Sequence, residues 1–243
     1  MAFDAYNGGS GNWLASDSTL AHGIGTGRFS VAGWFYPTAI SASLRAGYAN
    51  GGLGASFALL ITEGVASKFA VWMAGTYAFN TVLTANQWVH LCVTRDNTGL
   101  VTGYVNGVAE ATTHPALLIS LATNTQYISG ADSGSYASRA NSGEVALWSG
   151  ITLSASEVAA LAKRVKPPDV RTNGLKLYCP LVRERRDRWS YGSNFTAQNG
   201  AAAYVTHPRI IEQMWRNTPD LTAGGGGGGG GAQNRYGLLM GVH

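Results

Sequence analysis

The sequence predicts an all-β antiparallel sandwich with one short helix and an extended C-terminal tail. Three observations favour this class: short apolar runs recur roughly every 10–15 residues, turn-forming residues separate them, and the charged residues of long surface helices are scarce. The 243 residues include 33 glycines, and only 12% of the chain is charged. Seven Trp and eleven Tyr supply the large apolar areas that a β core needs.

The first 150 residues contain runs rich in β-branched and aromatic side chains, each bounded by Gly, Pro, Asn or Asp. The most regular run covers residues 29–36, and Pro37 closes it. Asn106-Gly107 predicts a hairpin turn, because both residues tolerate a positive φ. The other predicted strands are residues 56–61, 69–73, 88–94, 101–106, 127–128 and 144–148.

One helix is predicted from residue 154 onward. The phrase SASE at 154–157 is a capping box, in which the Ser154 hydroxyl accepts from the Glu157 amide and the Glu157 carboxylate accepts from the Ser154 amide. The helix is expected to end near Val165, because Pro167-Pro168 cannot continue it. Its apolar stripe, expected to face the sandwich, is Val158, Leu161, Ala162 and Val165.

Five phrases in sequence order resemble the laminin-G-like/concanavalin-A-like superfamily over about residues 3–165. They are Phe3-Asp4 followed by Trp13, FSVAGWFYP at 29–37, QWVHLCVTRD at 87–96, YVNG at 104–107, and GEVALW at 143–148 with LSASEV at 153–158. The resemblance implies a jelly-roll sandwich. The run LKLYCPL at 175–181 resembles a strand that commonly opens such domains. We expect it to pair at the edge of the same sandwich, or alternatively to begin a small subdomain.

Catalysis is not expected from this sequence. A glycosidase of this superfamily needs two carboxylates close together, and none of the glutamates has a carboxylate two residues away. The five histidines show no metal-ligand spacing, and His90 is expected to be a hydrogen-bonded residue of the sandwich. No G-x-S-x-G nucleophile motif occurs. Cys92 and Cys179, both in apolar runs, are predicted to be buried free thiols rather than a disulfide.

Two kinds of ligand site remain as hypotheses. The resemblance implies possible calcium binding at the sandwich rim, for which Asp4, Asp132 and Asn141 are candidates, although such residues also cap turns. Sugar binding usually relies on exposed aromatic rings. The candidates that lie in or near predicted loops are Tyr48, Tyr77, Phe79 and Tyr136, with packing at the rim as the alternative.

The C-terminal third is basic. Residues 1–162 hold five Lys/Arg and eight Asp/Glu, whereas residues 163–243 hold twelve Lys/Arg and five Asp/Glu. The expected organisation is a sandwich over 1–182, a basic segment over 183–223, and a polyglycine tether with an anchoring peptide over 224–243. Docking onto partner proteins is assigned to Arg183, Arg185, Arg186, Arg188, Trp215 and Tyr236.

A laminin-G-like sandwich with a later strand and a polyglycine tail resembles phage virion structural proteins. This resemblance implies a non-enzymatic capsid decoration or appendage subunit, made in the host cytoplasm without a signal peptide and located in the virion. Its expected partners are other virion proteins and copies of itself. The alternative is a carbohydrate-binding or host-adhesion module that recognises a surface glycan. Neither nucleic acid nor a membrane is expected as a partner, because acidic residues interrupt the basic run and no apolar run approaches about 18 residues.

Overall fold

The computed structural model describes residues 2–3, 13–17, 27–40, 45–51, 57–62, 68–73, 75–115, 124–131, 136, 138, 140–181, 188–189, 194–198 and 204–205. The chain divides into two units, Met1–Gln213 and Met214–His243, and every described residue belongs to the first unit. In chain order its elements are β1 (Ala2–Phe3), β2 (Trp13–Ser16), β3 (Phe29–Pro37), β4 (Arg45–Asn50), β5 (Phe57–Thr62), β6 (Lys68–Met73), β7 (Thr76–Val82), β8 (Val89–Arg95), β9 (Leu100–Val105), β10 (Val108–Pro115), β11 (Gln126–Ile128), β12 (Ala140–Ser149), α1 (Ala155–Ala162), α2 (Pro167–Val170), β13 (Leu175–Cys179), β14 (Phe195–Gln198) and β15 (Tyr204–Val205).

Two antiparallel sheets form the sandwich that the sequence predicts. The first sheet has the order β10-β9-β8-β3-β12-β1-β15, and β13 also pairs with β12. The second sheet has the order β14-β2-β11-β4-β5-β6-β7. Alternate residues of each strand point inward, and the inward side chains form the main core. Phe35, Phe57 and Phe69 are among the largest of these fully buried side chains.

The strand that the sequence predicts after the helix is present, and it belongs to the first sheet. Residues Leu175–Cys179 pair antiparallel with β12, with Cys179 opposite Val145. Leu177 and Cys179 point into the main core. The late strand therefore lies in the same sandwich. Both Cys92 and Cys179 are buried thiols that form no disulfide, as predicted.

Helix α1 covers part of the outer face of the first sheet. Both hydrogen bonds of its predicted capping box are present, and Val158 and Leu161 are buried. They pack over Trp148, which is fully buried and donates from its indole N–H to the Arg171 carbonyl at 2.9 Å. No helix among the described ranges is long and apolar enough to cross a membrane.

The helix ends three residues earlier than predicted. Lys163 is the C-cap, and Arg164 adopts a left-handed conformation with φ 71°. The amides of Arg164 and Val165 then donate to the carbonyls of Leu161 and Ala160, which is a Schellman arrangement. The prolines that were expected only to stop this helix begin α2, because proline suits the first turn of a helix.

The predicted hairpin turn at Asn106-Gly107 is confirmed. The φ angles are 50° for Asn106 and 84° for Gly107, so both residues are left-handed, as a two-residue turn of type I′ requires. The Asn106 side chain adds a further contact, because its Oδ1 accepts from the His90 amide at 3.0 Å. The turn is thereby fixed to strand β8.

Candidate functional site

The four aromatic residues predicted to bind sugar occupy different environments. Tyr48 and Phe79 lie in strands and are fully buried in the main core, so their expected placement in or near loops is wrong. The Tyr48 hydroxyl donates to Gln126 Oε1 within the core. Tyr77 is partly buried, with its ring centroid 5.4 Å from that of His114. Tyr136 is partly exposed and packs on the outer face of the second sheet.

That outer face carries an unusual set of small side chains, which we call the alanine face: Ala46, Ala49, Ala58 and Ala70. Alternation along the strands directs Ala49, Ala58 and Ala70 outward, because their chain neighbours Tyr48, Leu59 and Val71 point into the main core. Ala46 reaches the same face through the register shift between Ala46 and Tyr48. All four alanines are fully buried. Ala131 and the rings of Trp72, Tyr127 and Tyr136 pack against them.

Strand register places two of these rings in one row. Trp72 lies opposite Ala58, Ala58 opposite Ala49, and Ala49 opposite Tyr127. The two rings are therefore three strands apart, or about 14 Å at the usual strand spacing. Both are partly exposed. The row thus holds two partly exposed aromatic rings, and the alanines between them are small and fully buried.

Polar groups accompany the rings of the alanine face. The indole Nε1 of Trp72 is buried and has no hydrogen-bond partner among the described residues. Thr76 lies opposite Trp72 in the register of β6 and β7. On the other side, Tyr127 lies opposite Ala15, which in turn lies opposite Thr196. Apolar rings with a few polar groups around them are typical of small-molecule sites.

The outer face of the first sheet carries a second aromatic group beyond the end of α1. We call it the Trp34 face: Trp34, Tyr36, Trp88, His90 and Asn141. The Trp34 and His90 rings meet edge to face at 5.4 Å, and the Tyr36 and Trp88 rings lie 5.6 Å apart. His90 is buried, and its Nδ1 has no hydrogen-bond partner among the described residues.

A buried acid adjoins this face. Glu144 lies in a β-bulge of β12 with φ 54°, and the hydroxyl of Tyr178 donates to its carboxylate at 2.7 Å. Burial raises the pKa of Glu144 to about 7. The pKa of Tyr178 is raised as well, mainly by burial and then by the charge of Glu144. Because Glu144 is buried and its pKa lies near neutrality, the charge on the carboxylate that accepts from Tyr178 depends on pH.

Only one of the three calcium candidates lies among the described residues. Asp4 and Asp132 lie outside them. Asn141 lies in strand β12 and is buried, so its expected position in a loop is wrong. No group of three or more His, Cys, Asp or Glu that could hold a metal occurs in the described part of the chain.

Only one of the predicted docking residues, Arg188, lies among the described residues. Arg183, Arg185, Arg186, Trp215 and Tyr236 lie outside the described residues. Arg188 is exposed, and its backbone amide donates to the Tyr178 carbonyl at 2.8 Å. That bond anchors the backbone after β13 to the first sheet.

The family model of the concanavalin A-like lectin/glucanases superfamily matches residues 7–159, which is more than half of the chain. The chain belongs to this superfamily. No curated protein matches this chain in sequence.

Solved structures share the sandwich at low sequence identity. A Bacteroides ovatus protein described as carbohydrate binding is 19% identical with a TM-score of 0.64, and the match covers 86% of this chain and 61% of that one. The heptameric SAP-like pentraxin of Limulus polyphemus is 14% identical with a TM-score of 0.58, covering 83% and 92%. A Trypanosoma rangeli sialidase is 15% identical with a TM-score of 0.50, covering 69% and 28%. This chain thus spans under two thirds of the Bacteroides protein. At these identities the likeness shows the fold.

Proposed function

We propose that this protein is a non-catalytic carbohydrate-binding module, and that it binds glycans at the alanine face. The observation that carries the proposal is the row in which Trp72 and Tyr127 stand three strands apart with alanines between them. Aromatic rings offer flat apolar surfaces to the C–H faces of sugars, and the exposed parts of both rings lie on one side of the sheet. A separation of about 14 Å matches a short run of linked sugars rather than one ring.

Superfamily membership supports a glycan as the ligand, as does the Bacteroides ovatus protein described as carbohydrate binding. The absence of catalysis is supported by the described glutamates, whose carboxylates serve structural contacts. Glu110 accepts backbone amides of β7, Glu144 accepts from Tyr178, and Glu157 caps α1 and meets Arg171 at 2.6 Å.

Glycan binding can be tested with a glycan array followed by calorimetry on the best neutral oligosaccharide. We expect W72A and Y127A each to weaken binding about tenfold, which corresponds to about 1.4 kcal/mol, while the fold persists. W189A is the matched control, because Trp189 is also exposed, at 39%, and follows Arg188, whose amide bonds to Tyr178 of the first sheet. Equal affinity of wild type, W72A and Y127A would remove the alanine face as the site. A folded protein that binds no glycan on the array would sink the proposal.

Docking in a virion is a second proposal, favoured by the charge of the C-terminal third, with twelve Lys/Arg against five Asp/Glu over residues 163–243. The comparisons give it no support. It predicts that deletion of residues 216–243 leaves a folded sandwich that no longer joins its assembly, which particle incorporation assays measure. Normal incorporation of the truncated chain would contradict it. Self-association, which this role implies, is measured on the intact chain by analytical ultracentrifugation.

A further inference from the structure

The Trp34 face has features that glycan binding at the alanine face does not use. It lies on the other sheet, where Tyr36 and Trp88 are partly exposed beside each other with ring centroids 5.6 Å apart. Trp34 lies next to Tyr36 on the same side of β3, and it is 7% exposed. The planes of the Tyr36 and Trp88 rings are tilted by 57°, so the two rings present an angled apolar surface.

A cation lies over the neighbouring Trp34 ring at a conformational cost. The Arg164 guanidinium lies 5.9 Å from the centre of a Trp34 ring. Arg164 has φ 71° and occupies the position after the C-cap, where glycine is strongly preferred because its backbone is left-handed. The presence of a large charged side chain at a position that favours glycine points to a role for that side chain. Lys163 next to it is also exposed, so the surface here is positively charged.

Two buried polar atoms of the same face lack partners among the described residues: Asn141 Oδ1 and His90 Nδ1. Register places Asn141 opposite Tyr36, and it places Gly143 opposite Trp34, which in turn lies opposite His90. Burial lowers the pKa of His90 to about 3, so this ring is neutral at physiological pH. Buried polar atoms without partners are rare in folded proteins and call for a ligand or water.

We propose that the Trp34 face, together with Arg164, is a second binding site, selective for the anionic ring of an acidic glycan. The sugar ring would pack against Tyr36 and Trp88, and Arg164 would bind its carboxylate or sulfate ester. A ring hydroxyl would donate to Asn141 Oδ1. Arginine suits this task because its planar guanidinium binds such oxyanions through paired hydrogen bonds. This inference rests on the proposed function in that it takes a glycan as the ligand, but it concerns the opposite sheet.

Calorimetry on the full chain tests the site with four probes: oligogalacturonate, its methyl ester, a sulfated galactan oligosaccharide and poly-glutamate. We expect binding of the uronate, the sulfated oligosaccharide or both, with at least tenfold weaker binding of the methyl ester. The two acidic probes distinguish a carboxylate from a sulfate ester. R164G is expected to lose at least tenfold in affinity with a melting temperature equal to or above that of wild type, because glycine relaxes the left-handed residue. K163A removes the same charge one position away and should stay within twofold of wild type.

Three outcomes would overturn this second site. Two are equal binding of the acid and its methyl ester, and unchanged affinity in R164G. The third is binding of poly-glutamate as tight as that of the acidic sugar, because this would indicate simple attraction of anions. The W72A variant separates the two proposals. If it loses neutral glycans and keeps the acidic one, both sites stand. If acidic binding depends on Arg164 while no neutral glycan binds, the alanine face fails and this site stands. If neutral binding depends on Trp72 while R164G behaves as wild type, only this site fails.

Discussion

The carboxylate of Glu110 on β10 accepts the backbone amide of Asn80 on β7 at 3.0 Å, and so joins the two sheets at one side of the sandwich. The same Oε2 atom accepts the amide of Thr81 at 3.2 Å. Strands β10 and β7 are the outermost strands of their sheets on that side. Exposed edge strands invite pairing with other chains, and Glu110 occupies amides of β7 that another strand would use.

Removal of this carboxylate should weaken the fold. For E110A we expect the free energy of unfolding to fall by about 1–2 kcal/mol, because two amides lose a charged acceptor. Urea unfolding followed by tryptophan fluorescence measures the change. E110Q, which keeps an acceptor oxygen but not the charge, should fall between E110A and wild type. A wild-type unfolding midpoint for E110A would contradict the assigned role.

A methyl group at Gly103 should overpack the core. A Cβ added there would lie 2.7 Å from Cε2 and Cζ of Phe79, which is fully buried and stacks on Phe69 with centroids 4.8 Å apart. We expect G103A to lower the free energy of unfolding by about 1–3 kcal/mol, measured by chemical denaturation.

A matched control exists for this substitution. A Cβ at Gly75 would meet Tyr77 atoms no nearer than 3.6 Å, so G75A should leave stability nearly unchanged. Shortening the crowded ring in the double variant G103A/F79L should recover part of the loss. If G75A and G103A cost the same, crowding against Phe79 is not the cause.

The buried acid Glu144 should make stability depend on pH. Its pKa rises from an ordinary value of 4.5 to about 7 because the fold buries it, so the folded state holds the proton more tightly than the unfolded state. The free energy of unfolding should therefore fall as the pH rises from about 4.5 to 7 and stay low above that range. The expected loss from this group is roughly 3 kcal/mol as an upper figure.

Substitution by glutamine isolates the contribution of Glu144. E144Q keeps the side-chain shape but cannot ionise, so its stability relative to wild type should rise between pH 5 and pH 8. Urea titrations of both proteins at three pH values measure that difference. The contributions of the other titrating groups are the same in both proteins and therefore cancel. Parallel pH profiles for wild type and E144Q would show that Glu144 ionises as it does in the unfolded chain.

Local sequence signals were sufficient for much of the fold. The strand runs at 29–36 and 88–94, the turn at Asn106-Gly107 and the capping box at Ser154 each depend on neighbouring residues, and the structure confirms them. Helix α1 ends three residues before the predicted position, because glycine is the usual sequence marker of a left-handed residue and Arg164 gives no such signal. Superfamily membership followed from the same phrases.

The aromatic faces required the tertiary structure. Tyr48 and Phe79 were predicted to be accessible, but alternation along their strands directs both into the core. Trp72 and Tyr127 were not predicted, because they are 55 positions apart and only pairing through β5 and β4 brings them into one row.

The sequence alone determined the all-β class, the helix start and the late strand at 175–181, because periodicity, capping and turn formation act over a few residues. Tertiary structure decided that the late strand pairs with β12, that Glu110 joins the sheet edges, and which rings remain at the surface. Register between distant strands sets these relationships. A shift of one residue turns every side chain to the opposite face, and no local signal fixes that choice.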